Sequence, residues 1–267
     1  MDEHISFNNI LVPIDGSTSS EIAVDLALHS AEEFSSCLEF VFVVDMTALN
    51  KFGTVDPSKE YYTMKIEGET VLGYAAKLAD KAGAKHKDVL AEGVPWEILC
   101  EMSKSADMII MSVSGKSGMM AGRIGGTAKK VIEGSYCPVL TIKSGSNVIK
   151  DILLPVYDEN RPAIDVAIQT AKRVNGRITV LSVKEKGHDP QPLVDKIVED
   201  IRKEGIEVNG EVAEGSPVEV IVGKSGMFNL IVVGVDRRGG IQSILHGGAT
   251  ERIVTMSSCP VTVVRNR

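Results

Sequence analysis

The chain reads as an α/β protein of two tandem doubly wound domains, each built on a five-stranded parallel sheet. Three observations predict this. First, the sequence repeats itself: NNILVPIDGS from Asn8 returns as KDILLPVYDE from Lys150, with Pro13 and Pro155 offset by 142. AEGVPWEIL from Ala91 returns as AEGSPVEVI from Ala213, and CPVLTI from Cys137 as CPVTVV from Cys259, each at an offset of 122. Second, short β-rich runs alternate with amphipathic helical stretches, the pattern of strands joined by crossover helices. Third, strands such as NILVPI and MIIMSV are apolar almost throughout, as in a sheet with helices on both faces.

In the first copy the pattern places strands over 9–13, 38–44, 86–91, 107–112 and 138–142. Helices fill the gaps over 18–34, 62–83, 94–104 and 127–134. The second copy repeats the order, with strands over 151–155, 177–183, 206–212, 228–233 and 260–264 and helices over 160–173, 190–204, 216–225 and 249–256. The offset falls because the second copy is shorter between its second strand and the AEG element. Each copy is of single-domain size, which sets the domains at 1–146 and 147–267, joined by the short polar linker KSGSN at 143–147. Right-handed crossovers wind each domain both ways, so a ligand is expected outside the carboxyl ends of the strands where the winding reverses.

Composition narrows the function. At 267 residues, 43% hydrophobic and 24% charged, the chain has the profile of folded globular domains. A net charge of −7 with no basic run excludes a nucleic-acid partner. No apolar run is long enough to span a bilayer and the N-terminus lacks a signal-peptide pattern, so no membrane partner and a cytoplasmic location are expected. The four cysteines, Cys37, Cys100, Cys137 and Cys259, show no C-x-x-C spacing, which argues for buried free thiols and against a metal site. None of the five histidines stands at a catalytic spacing, and a surface or capping role is expected for them.

Two loops carry the candidate chemistry. The first strand ends in Pro13-Ile14-Asp15-Gly16-Ser17. An acidic side chain there can accept hydrogen bonds from a ribose hydroxyl or an adenine amine; equally, Asp15 and Ser17 can simply make a turn and cap the helix. After the fourth strand come Ser112-Val113-Ser114-Gly115 and, further on, Gly125-Gly126-Thr127 at a helix start. Such glycines let backbone N–H groups converge on an anion at the positive end of a helix, and Lys116 and Arg123 add charge to the loop. That loop, with Met119 and Met120, is expected to order over a bound ligand. GKS at Gly115 and again at Gly223 is not a P-loop, because Ile110 and Val218 stand where its first glycine belongs.

Taken together, NILVPIDGS, FVFVVD, AEGVPWEIL, the loop ending GGTAKKVI and the closing CPVLTI resemble the universal stress protein family in a tandem form. The resemblance implies an adenine nucleotide α-hydrolase-like fold, with the two domains related by a pseudo-two-fold axis. It also implies residue roles: Pro13, Ile14 and Asp15 at adenine and ribose, Val43 meeting adenine through its backbone, and Met111 lining the base pocket. Ser112, Gly115, Gly125, Gly126 and Thr127 would form the ribose and phosphate motif. Ser112 stands where that motif has its first glycine, and Gly126 replaces its usual serine, so phosphate contact is weakened and the choice between ATP and AMP stays open.

In the second copy Tyr157 falls at the place of Asp15, Arg237 at that of Gly115, and Ala249 at that of Thr127, the pattern of a degenerate site. Its rival is that Arg237, Arg238 and the glycines bind a different anion. The expected function is adenine-nucleotide-dependent stress signalling through a protein partner yet to be identified. The resemblance also implies an intrachain pseudo-dimer through the closing strands, with a homodimer of whole chains as a weaker expectation. The alternatives are a scaffold with both sites degenerate, and an enzyme of the wider adenine nucleotide α-hydrolase-like superfamily. No catalytic residue is assigned, and slow ATP hydrolysis is left open.

Overall fold

A computed structural model describes residues 6–51, 56–115, 124–143, 148–184, 189–235 and 248–266. The first copy contains β1 (Asn9–Pro13), α1 (Thr18–Phe34), β2 (Cys37–Asp45), α2 (Met46–Lys51), α3 (Pro57–Ala82), β3 (His86–Gly93), α4 (Pro95–Met102), β4 (Met108–Ser112), α5 (Gly126–Gly134) and β5 (Val139–Ile142). The second contains β6 (Asp151–Pro155), α6 (Arg161–Val174), β7 (Arg177–Lys184), α7 (Gln191–Lys203), β8 (Val208–Glu214), α8 (Pro217–Lys224), β9 (Leu230–Val235), α9 (Ala249–Met256) and β10 (Val261–Arg265), with a 3-10 turn at Ser225–Met227. The α/β architecture of parallel strands and crossover helices is as the repeats predict.

The chain divides into two compact units, Phe7–Val139 and Leu140–Arg267, the latter joined by Ser6. In the first the strand order is β3-β2-β1-β4; in the second it is β10-β9-β6-β7-β8. β1–β2, β1–β4 and β2–β3 pair parallel in the first unit, and β6–β7, β6–β9, β7–β8 and β9–β10 in the second. β5 ends the first copy in sequence, yet its residues Leu140–Ile142 fall in the second unit. There the Thr141 hydroxyl donates to the Val261 carbonyl at 2.9 Å, and the Lys143 ammonium donates to the Thr255 carbonyl near the end of α9. Burial holds the Lys143 pKa below its usual value.

Local chemistry explains the helix ends. Ser17 caps α1 by accepting the Ser20 N–H at 3.1 Å, and Ser35 ends it in the left-handed region with φ 56°. α3 begins at Pro57, five residues before the sequence pattern places it, because Asp56 accepts the Lys59 N–H and proline suits the first helical turn. The short α2 escapes the sequence reading altogether. Each core is a layer of β-branched and leucine side chains: Ile10, Leu11, Val12, Ile109 and Ile110 in one unit, Ile152, Leu153, Leu154, Ile231 and Val232 in the other, all fully buried.

Candidate functional site

The winding of the first unit reverses at β1, which has β2 on one side and β4 on the other. Strand stagger opens space at its carboxyl end. The β1–β2 ladder stops at Pro13 opposite Val41, with the Ile14 N–H on the Val41 carbonyl at 2.9 Å, whereas β2 continues to Asp45. Alternate residues of a strand turn their backbone groups to opposite neighbours, so Val43 directs its amide edge to the β1 side beyond the last β1 pairing. Pro13 and Val43 are half-buried, and Ile14 and Met111 are buried.

Asp15 does two things at once. Its Oδ1 accepts the Ser17 N–H at 3.0 Å and the Ser17 hydroxyl at 2.6 Å, which closes the turn through Gly16 at φ 78°. Its Oδ2 lies against Gly115: a β-carbon at that position would come within 2.5 Å of it. The two carboxylate oxygens thus face different neighbours, Oδ1 the turn and Oδ2 Gly115. The close approach also explains why residue 115 is glycine.

The end of β4 is organised by hydroxyls. Ser112 donates to the Ser114 carbonyl at 2.6 Å, and the Ser114 and Ser19 hydroxyls meet at 3.0 Å. The Gly125 N–H donates to the Val113 carbonyl at 2.8 Å, which brings the start of α5 onto this segment. Gly125 caps α5 with no side-chain hydrogen bond, and Gly126 and Thr127 are exposed. The first N–H groups of α5 are thus without helical acceptors and present a favourable potential to an anion. The structure therefore gathers Asp15, Ser112, Gly115, Gly125, Gly126 and Thr127 at one strand end, beside the amide edge of Val43. Lys116 and Arg123 lie outside the described residues, as does the rest of the 116–123 loop. The Ser19–Ser114 pair was missed by sequence reasoning, and only proximity in the fold reveals it.

The second unit repeats the register with a different outcome. Pro155 lies opposite Leu181, and the Val156 N–H donates to the Leu181 carbonyl at 2.8 Å, so Tyr157 occupies the place of Asp15. The turn that follows is one residue longer, and Asn160 caps α6 by accepting the Ala163 N–H at 3.2 Å. Its side chain rests on Gly234, the counterpart of Ser112: a β-carbon there would lie 2.5 Å from the Asn160 Cγ. The end of β9 is filled by the protein's own amide. Arg237, Arg238 and Gly247 lie outside the described residues.

Other features compete poorly as a site. A polar cleft of about 600 Å³ opens in the second unit, lined by Lys150, Asp151, Lys172, Arg177, Glu204 and Glu207 among others. It lies at the amino ends of β6 and β7, and its charges pair with each other, Lys172 with Glu204 at 2.6 Å and Arg177 with Asp151. All four cysteines are free: Cys100 and Cys259 are buried, whereas Cys37 and Cys137 are only half-buried. Burial pushes the Cys259 thiol up to about 11, which makes it unreactive near neutral pH. No group of three or more His, Cys, Asp or Glu side chains among the described residues could hold a metal ion. No described helix is long and apolar enough to cross a membrane.

His86 departs from the expected surface role. Its side chain is only 17% exposed, and its ring nitrogens lie 3.2 Å from Asp80 and 3.1 Å from Asp88. Burial works to lower its pKa, but the two carboxylate hydrogen bonds and their charges outweigh burial and raise it.

The sequence profile of the universal stress protein family matches residues 6–143 and 191–265. A universal stress protein of Mycobacterium tuberculosis is 26% identical over 286 aligned residues, covering 97% of each chain. One from Methanocaldococcus jannaschii is 33% identical over 142 residues, covering 51% of this chain and 82% of its own. The solved structure of a universal stress protein from Archaeoglobus fulgidus matches with a TM-score of 0.83 at 23% identity and covers 98% of both chains.

Proposed function

The chain belongs to the universal stress protein family, and from that premise we propose that its first repeat binds one adenine nucleotide, ATP or AMP, at the carboxyl ends of β1 and β4. Asp15 accepts a hydrogen bond from the ribose or the adenine amine. The amide edge of Val43 meets the adenine, while Pro13, Ile14 and Met111 line the base pocket. Gly115, Gly125, Gly126 and Thr127 hold ribose and phosphates through backbone N–H groups. The observation that carries this reading is the Asp15–Gly115 junction, where a carboxylate oxygen sits over a glycine at the switch point of the sheet.

The second repeat, 147–267, is structural in this reading, with Tyr157 and Asn160 standing where a ligand would go. The repeats pair within the chain as two subunits of a dimer would, and the loaded first repeat engages a protein partner in the response to stress. No described residue of the site is positioned as a general base, so binding is the task proposed for it, with slow ATP hydrolysis left open.

Titration calorimetry of the intact chain with ATP and with AMP tests the proposal. One site per chain is expected. Two equal sites, or binding by residues 147–267 alone, would refute it.

A further inference from the structure

We propose that the paired hydroxyls of Ser19 and Ser114 recognise the phosphate of the bound nucleotide, an inference that rests on the nucleotide reading above. Ser19 lies in the first turn of α1 and Ser114 just past β4, and their oxygens are 3.0 Å apart. Two hydroxyls carry two protons, and their mutual bond uses one. Neither side chain makes another hydrogen bond among the described residues, so the pair keeps a donor to offer. Both residues are half-buried.

The placement fits an acceptor-only ligand group. Ser114 is fixed by the Ser112 hydroxyl on its carbonyl, and it precedes Gly115, against which Asp15 Oδ2 packs. A β-carbon at Gly125 would lie 3.8 Å from the Ser114 Cα, so the cap of α5 is a direct neighbour. A phosphate near the Asp15 carboxylate needs donors to offset the like charge. Gly126 has no hydroxyl to give, and the Ser19–Ser114 pair supplies one. Phosphate oxygens accept without donating, and a hydrogen bond to a charged acceptor is the stronger kind.

The test compares adenosine, AMP and ATP on the full chain. In the Ser19→Ala/Ser114→Ala double variant, adenosine affinity should stay unchanged while AMP and ATP weaken about tenfold, the scale of one lost charged hydrogen bond. Ser19→Thr, which keeps the hydroxyl, should hold AMP and ATP affinity, and Gly126→Ser in the double variant should recover part of the loss. Equal weakening for adenosine and AMP would overturn the inference, because the pair would then only support the fold around the base. No change for any ligand would overturn it too. A wild-type chain that binds none of the three fails the nucleotide reading itself, and this inference falls with it.

Discussion

A single contact, Asp15 Oδ2 against Gly115, ties two distant parts of the sequence into one unit. If that contact presents the carboxylate to a nucleotide, Asp15→Ala should weaken binding by about 1.5–3 kcal/mol, the range for hydrogen bonds to a charged group. Gly115→Ala should cost a similar amount by a different route, since its β-carbon would displace the carboxylate. In the Asp15→Ala background the same glycine change should cost little, because the atom it strikes is gone. Titration calorimetry on the four chains reads this non-additivity directly. Unchanged affinity in Asp15→Ala would leave Asp15 as a turn residue alone. The second repeat supports the coupling, since Tyr157 and Arg237 differ together from Asp15 and Gly115.

Elements were legible in proportion to how local their causes are. β1, α1, β6 and α9 match the sequence pattern to the residue, because their boundaries are set by apolar runs and short polar turns. The start of α3 was set too late, since the residues from Pro57 to Tyr61 lack a buried face and only the Asp56 cap and Pro57 mark the start. The contact that closes the far end of α3 was not legible at all. His86, at the start of β3, bridges Asp80 from α3 and Asp88 from its own strand, while β2 places Leu38 and the Phe40 ring beside it. Its folded pKa is raised, so its contribution to stability is full below the unfolded value of about 6.5. That contribution is lost as pH rises through the folded value. Wild-type denaturation midpoints should therefore fall relative to His86→Gln as pH rises from about 6 to about 8. Parallel midpoints for the two proteins across that range would show that the bridge adds nothing.

At the scale of the molecule, duplication is the controlling fact. The proposed pairing of repeats predicts that a protease cut near Ser146, which lies outside the described residues, leaves the halves associated on gel filtration. Leu140→Pro should separate them after the cut, because it removes a backbone donor from β5. Halves that run independently after the cut alone would reject the pairing. The boundary of the compact units at Val139 and Leu140 gives this test its point, since β5 ends one repeat by sequence while its Thr141 hydroxyl bonds the Val261 carbonyl inside the unit that holds the second repeat. By itself the sequence determined the α/β class, the repeat, and the two strand-end loops that hold Asp15 and Gly115, because hydrophobic period, glycine and proline act locally. Tertiary structure alone decided which oxygen of Asp15 faces Gly115, which serines meet across α1 and β4, that Asn160 fills the end of β9, and where β5 packs. Those outcomes depend on distances between residues far apart in the chain, and no local pattern encodes them.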